Sequence, residues 1–494
     1  MKRSFLLILI LALLGGCSQP ALTTTPALPE PGVTISEKTA IPSPTIATTP
    51  VVTPTIGASA LPEPPQNRPH YQLDLTLNYY THYGIVDEII TYTNNTGEVL
   101  PQLVLMIPPV DYRNSYVQNT LAGERVKSFQ AQGHLTTIEL TEPLNPGEST
   151  HLTLNYRLDI PEWDGTYGVC GRQINLSNWY PFIPPYRAGV GFITHELNIE
   201  QATNSVVGEN VFNEISDFDV SLKLTDRAEL IEVAASAPAE GANGNYKYHL
   251  ELARSFSFSI SDSFFEYEIE HKGIRIHSYV FMNEIETGKA VTEIASKALD
   301  LFGELFYPYP RQMISIVAAD FLHNMEMDGM VMISYGVFDF YDNTPENNLT
   351  ILTPHELSHQ WIYSMVGNDQ AVEPWLDETI AIYCEFLFYQ KYYPDLAQWW
   401  WTNRIDQFNP NGFVNTDIYS PGGYEAYRNT VYLHGAQFMQ ELRDQVGDEA
   451  FFAALKDYVS TNTYKIATRQ DFFDAISRHS QADLTSLLAK YFKN

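Results

Sequence analysis

Three residues in the stretch Thr-Pro-His-Glu-Leu-Ser-His-Gln-Trp stand at a spacing that can do metal chemistry: His355, Glu356 and His359. On a helix, positions i and i+4 lie one turn apart on one face, so the two histidines can each offer a ring nitrogen to a single ion. Glu356 falls about 100° round the axis. That offset suits a base acting on water rather than a ligand. A pair of histidines alone arises by chance in long chains. A catalytic zinc takes three protein ligands and keeps a fourth position open. Glu378, nineteen positions after His359 in Glu-Pro-Trp-Leu-Asp-Glu-Thr-Ile-Ala-Ile-Tyr, is the third candidate. A helix, a turn and the start of an antiparallel partner can return its carboxylate to the same ion. The competing reading of Glu378 is a first-turn carboxylate favoured by the helix dipole.

His-Glu-x-x-His followed by Glu after eighteen residues, embedded in HELSHQW and WLDE, resembles the gluzincin aminopeptidase family. This is the group of membrane alanyl aminopeptidase and leukotriene hydrolase. The resemblance implies one zinc ion on His355, His359 and Glu378, with Glu356 as general base, and the hydrolysis of peptide bonds. It also implies a tyrosine that stabilises the oxyanion. In VYLHGAQF that position is Tyr432, with His434 where lysine is usual, and Tyr427 matches a second tyrosine of some members. In HNMEMDGMVMIS, Glu326 stands where the family binds a substrate's free amino group, beside an edge strand that pairs with the substrate backbone. Met327 replaces an asparagine there, and His323-Asn324 a small pair. The expectation is an aminopeptidase that removes N-terminal residues from peptides, with a zinc endopeptidase on the same centre as the alternative. A surface lipoprotein that binds peptides without cutting them is the rival from another class, and the retention of Glu356 and Tyr432 weighs against it.

Two kinds of element must position these residues. Leu73, Leu75, Leu77 and Tyr79 alternate with polar residues, and the same period two returns at 152–158, 220–224 and 256–260. With turn-rich clusters between them, these runs predict an antiparallel β domain over 67–270. Beyond 270 the period becomes helical at Val291, Ile294, Ala298, Leu301 and Leu305, interrupted by strand candidates at 314–317 and 330–333. Helix dominates after 355. The fold class is an N-terminal antiparallel β domain followed by an α+β, mostly helical catalytic domain over 271–494, thermolysin-like on the resemblance. Pro354 leaves two options for the helix that carries His355. Either it begins near Thr353, with proline in its first turn, or it begins upstream and runs through the proline.

The N-terminus sets an address. Met1-Lys2-Arg3, an apolar run over 5–14 and Leu-Gly-Gly-Cys read as a signal peptide over 1–16. Its end resembles a bacterial lipobox, with Cys17 as the lipidated residue. A Thr/Pro-rich tether follows over 17–66, too poor in apolar residues to build a core. The expectation is a protein lipid-anchored to the bacterial cell membrane, outside the cytoplasm, acting on peptides. A net charge of −30 argues against nucleic acid as a partner. Besides Cys17, only Cys170 and Cys384 are present, which either pair or stay buried and free.

Overall fold

The computed structural model describes residues 61–195, 208–420 and 422–493; the signal peptide, Cys17 and most of the tether lie outside the described residues. In the β region a seven-stranded sheet carries the alternating runs. Its order is Glu240–Ala242, Asn245–Ala253, Ser216–Leu224, His70–Asn78, Tyr83–Thr93, Ser149–Asp159, Tyr116–Gly123. Tyr71, Leu73, Leu75 and Leu77 are buried while their polar neighbours face out, as a sheet with one covered face requires. One pair departs from the antiparallel expectation: His70–Asn78 lies parallel to Ser216–Leu224, with Leu73 opposite Val220 and Leu75 opposite Leu222. Period-two alternation is the same in either orientation, so direction is set by the long crossover and not by the pattern. A four-stranded, a three-stranded and a short two-stranded sheet complete this region, over a core that includes Tyr156, Trp179, Tyr180, Phe218 and Phe258.

The second region is built on a five-stranded mixed sheet, ordered Phe265–His271, Ile274–Val280, Met313–Ala319, Met330–Ser334, Met325–Met327. Its first strand precedes the change of period at 270. The strands Met313–Ala319 and Met330–Ser334 are buried along their whole length, which explains why they read as short unbroken apolar runs. Helix Ile285–Leu305 packs through Val291, Ile294, Ala298, Leu301 and Leu305. The strand Met325–Met327 closes the sheet as its edge, antiparallel to Met330–Ser334 with Glu326 opposite Val331.

Two helices then face each other, Asn348–Ser358 with the histidines at its C-terminal end and Trp375–Tyr392. The first begins upstream of Pro354: Asn347 is its cap, accepting from the Thr350 backbone N–H at 3.1 Å. Thr353 is buried inside the helix, so Glu356 is not diverted into a cap. Trp361 and Trp375 are buried packing residues, the former donating its indole N–H to the Tyr307 carbonyl at 2.6 Å. Cys170 and Cys384 are both buried and free. Arg254, at the end of strand Asn245–Ala253, is buried and donates to the carbonyls of Asn213, Tyr363 and Lys465. Asp328, next to the edge strand, accepts from the backbone of Arg254 and Ser255 and pairs with Arg311. These contacts fix the β region against the edge strand and the loop after the histidines. Among the described residues no helix is long and apolar enough to cross a membrane.

Candidate active site

His355 and His359 project from the end of their helix toward the first turn of Trp375–Tyr392. The Oε2 of Glu378 lies 3.3 Å from His355 Nε2 and 3.8 Å from His359 Nε2, and one ligand atom from each residue falls within 4.8 Å of the others. That Oε2 is buried without a well-formed hydrogen bond. Two imidazole nitrogens and an orphaned carboxylate oxygen converging on one point are the donor set a zinc ion takes.

Carboxylates orient both rings from behind. Asp377 Oδ1 lies 2.5 Å from His359 Nδ1, and Glu385 Oε1 lies 2.9 Å from His355 Nδ1. The Asp377–His359 contact is a hydrogen bond, while Glu385 faces His355 Nδ1 as an ion pair without hydrogen-bond geometry. With Nδ1 turned to these partners, both Nε2 atoms point inward. Glu385 is fully buried and held by Arg404 through two 2.8 Å bonds, with Trp400 at 3.1 Å. Burial pulls the His355 imidazole down, but Glu378 and Glu385 outweigh it and lift its pKa to about 9. His359 rises in the same way against burial, through Glu326 and Asp377. So anionic a pocket calls for a cation.

Glu356 is buried beside the rings, and that burial pushes its carboxyl up to about 7, against the opposing pull of His355 and His359. A carboxyl poised near neutrality can both take and return a proton. Tyr432 sits in a π-helical segment, Arg428–His434, with its ring stacked 6.0 Å from His355 and edge-on 5.7 Å from Tyr427. Burial, followed by the charge of Glu378, holds its hydroxyl well above its ordinary pKa, so it stays a donor. The segment is seated by Thr379, which donates to the Val431 carbonyl at 2.5 Å. Gly435 permits this approach, since a Cβ there would lie 2.3 Å from the Thr379 hydroxyl. His434 turns away from the site, its Nδ1 2.8 Å from the Gly412 carbonyl.

Glu326 is buried on the edge strand, and Glu326, Glu356 and His359 each bring an oxygen or nitrogen within 4.8 Å of one another. Beside it stands a residue that sequence reasoning missed, Glu209. Gln370 donates its amide protons to Glu209 Oε2 and Asp377 Oδ2, both at 2.6 Å, and lies 3.4 Å from Glu326 Oε1. Burial, then the charges of Asp377 and Glu378, raise Glu209 to about 8. Burial, then Glu209, raises Glu326 well above the carboxylate range. Nothing in the spacing around Glu209 marks it. Asp377 and Glu385 also went unassigned, although Glu385 lies two helical turns after Glu378 on the same face. His195 is mostly buried. It lies 2.8 Å from Asp369 and pins the loop that carries Gln370.

A β domain joined to an HExxH helix pair, with a third ligand from the second helix, defines the gluzincin class of zinc metallopeptidase. Residues 291–491, which hold His355, Glu356, His359, Glu378 and Tyr432, match the peptidase family M1 domain. Aminopeptidase M1 of Arabidopsis thaliana is 23% identical over 248 residues, covering 46% of this chain and 28% of that protein. Endoplasmic reticulum aminopeptidase 1 of Homo sapiens is 24% identical over 225 residues, 42% of this chain and 24% of that protein. The chain therefore matches roughly a quarter of the length of these curated relatives. A solved M1 zinc metallopeptidase from Deinococcus radiodurans, in mutant form, superposes with a TM-score of 0.59. It is 18% identical and covers 89% of this chain and 97% of its own, a likeness of fold.

Proposed function

We propose that the protein is a zinc aminopeptidase that removes residues from the free N-termini of peptides. The observation that carries this reading is the pair of carboxyls, Glu209 and Glu326, set beside the HExxH centre. A substrate ammonium is the ligand that two crowded carboxyls would welcome, because it relieves their mutual repulsion. An ammonium held there fixes the first peptide bond at the centre, whereas internal bonds offer no such cation.

His355, His359 and Glu378 would hold the zinc, which when bound supplies Lewis acidity toward water and the scissile carbonyl. Glu356 accepts the proton of the attacking water and delivers it to the leaving amine. Tyr432 donates its O–H to the oxyanion. Asp377 and Glu385 keep the two imidazoles in register, and the edge strand Met325–Met327 lines up the substrate backbone.

The Leu-Gly-Gly-Cys sequence supports the further proposal that the chain is a lipoprotein anchored through Cys17 at the membrane, acting outside the cytoplasm. Metabolic labelling with a fatty acid should mark the wild type and not Cys17→Ala.

The aminopeptidase reading is tested by comparing an aminoacyl reporter with its N-acetylated counterpart, with Glu356→Gln as the inactive control. Cleavage confined to the free amine is expected. Equal cleavage of both would reduce the reading to a zinc endopeptidase on the same centre.

A further inference from the structure

The edge strand has one closed end and one open end. Toward Met327 it is closed: Gln360 donates to the Met327 carbonyl at 2.8 Å and accepts from the Gly329 N–H at 2.9 Å. Asp328 is fully buried, and Gly329 lies so close to Ser236 that a Cβ would meet the Ser236 carbonyl oxygen at 2.1 Å. Toward Asn324 the strand is open, and Leu322 is 69% exposed. A peptide with its ammonium at Glu209 and Glu326 that adds to this edge must therefore run antiparallel to the strand, toward Asn324 and Leu322.

A cavity of about 420 Å³ lies at that open end, within the range of ligand pockets, roughly 300–1,000 Å³. Its apolar lining is Leu322, Val337, Phe340 and Leu352, set among three asparagines and Ser334, with Asp342 and Glu346 as its exposed carboxylates. Leu352 precedes His355 by three positions on one helix. The cavity thus reaches within one helical turn of His355.

We propose that this cavity receives the side chain just beyond the scissile bond, and that it selects lysine or arginine there. The proposal rests on the aminopeptidase reading and names the substrates of that site. The apolar walls suit a methylene stem, and the carboxylates suit the cation at its tip. Asp342 accepts from both the N–H and the hydroxyl of Thr344, which holds its carboxylate in place. A glutamate in the same position would meet like charge from Asp342 and Glu346.

The test is kcat/KM for Ala-Arg-Gly, Ala-Leu-Gly and Ala-Glu-Gly, which share a first residue. The wild type should prefer arginine over glutamate by about tenfold, with leucine between. Asp342→Asn with Glu346→Gln should bring the three within about twofold, and Glu346→Lys should invert the order. Equal cleavage of all three by the wild type, or a preference that survives the neutral double variant, would overturn the cavity's role and leave the aminopeptidase intact. Loss of N-terminal cleavage in all three would overturn the aminopeptidase reading itself, and this inference with it.

Discussion

Replacing Glu209 by glutamine should weaken catalysis and strengthen the fold, and the two effects come from the same charge. The metal-free folded protein keeps the Glu209 proton up to about pH 8, against an ordinary 4.5. The unfolded chain releases it near 4.5. Between those values the folded state holds the extra proton, so stability falls as pH rises through that window. The gap sets a ceiling of about 5 kcal/mol. Solvent reaching the partly exposed side chain reduces this to about 1–2 kcal/mol. Glutamine cannot ionise, so Glu209→Gln should gain stability over wild type at pH 8 and little at pH 5, a rise of roughly a few degrees in Tm. For catalysis, a charge-assisted bond to an ammonium is worth about 1.5–3 kcal/mol. Removing it should lower kcat/KM for free-amine substrates by roughly ten- to a hundredfold. Zinc content, which does not depend on Glu209, should stay stoichiometric. Thermal melts at both pH values and kinetics on the free-amine reporter read the two effects separately. An unchanged kcat/KM for the free-amine reporter, or a lower Tm at pH 8, would refute the reasoning.

Further outcomes follow from the same geometry. Glu356→Gln should reduce kcat by about 10²–10⁴-fold while zinc content by atomic absorption stays stoichiometric. Tyr432→Phe should lower kcat by about 10²–10³-fold with KM nearly unchanged, separating a transition-state donor from a packing ring. Asp377→Ala or Glu385→Gln should weaken zinc about 10–100-fold, read by competition with a chromophoric chelator. Glu385→Gln should also loosen Arg404, which holds that carboxylate through two bonds.

The metal centre was legible in the sequence because its three ligands sit on two helices, where spacing translates into direction. Glu326 and Tyr432 could be pointed to only through a family pattern. Glu209 could not, since it comes from a loop of the β region and reaches the centre through tertiary packing alone. Asp377 adjoins a ligand and Glu385 follows one by two turns, yet carboxylates at such positions are common on helix surfaces, and only burial against a histidine reveals their part. For the fold, half-buried strands announced themselves by alternation, and the change of period marked the passage to the helical region. Strand direction was not legible, as the parallel pair of His70–Asn78 with Ser216–Leu224 shows. The start of the histidine helix was hidden because its cap, Asn347, lies well ahead of the proline that draws attention.

The most direct measurement is a time-resolved mass-spectrometric digest of one peptide supplied with a free and with an acetylated N-terminus. The account predicts a ladder of products shortened one residue at a time from the free N-terminus, and an acetylated peptide left whole. Internal fragments appearing at the same rate from both peptides would contradict it.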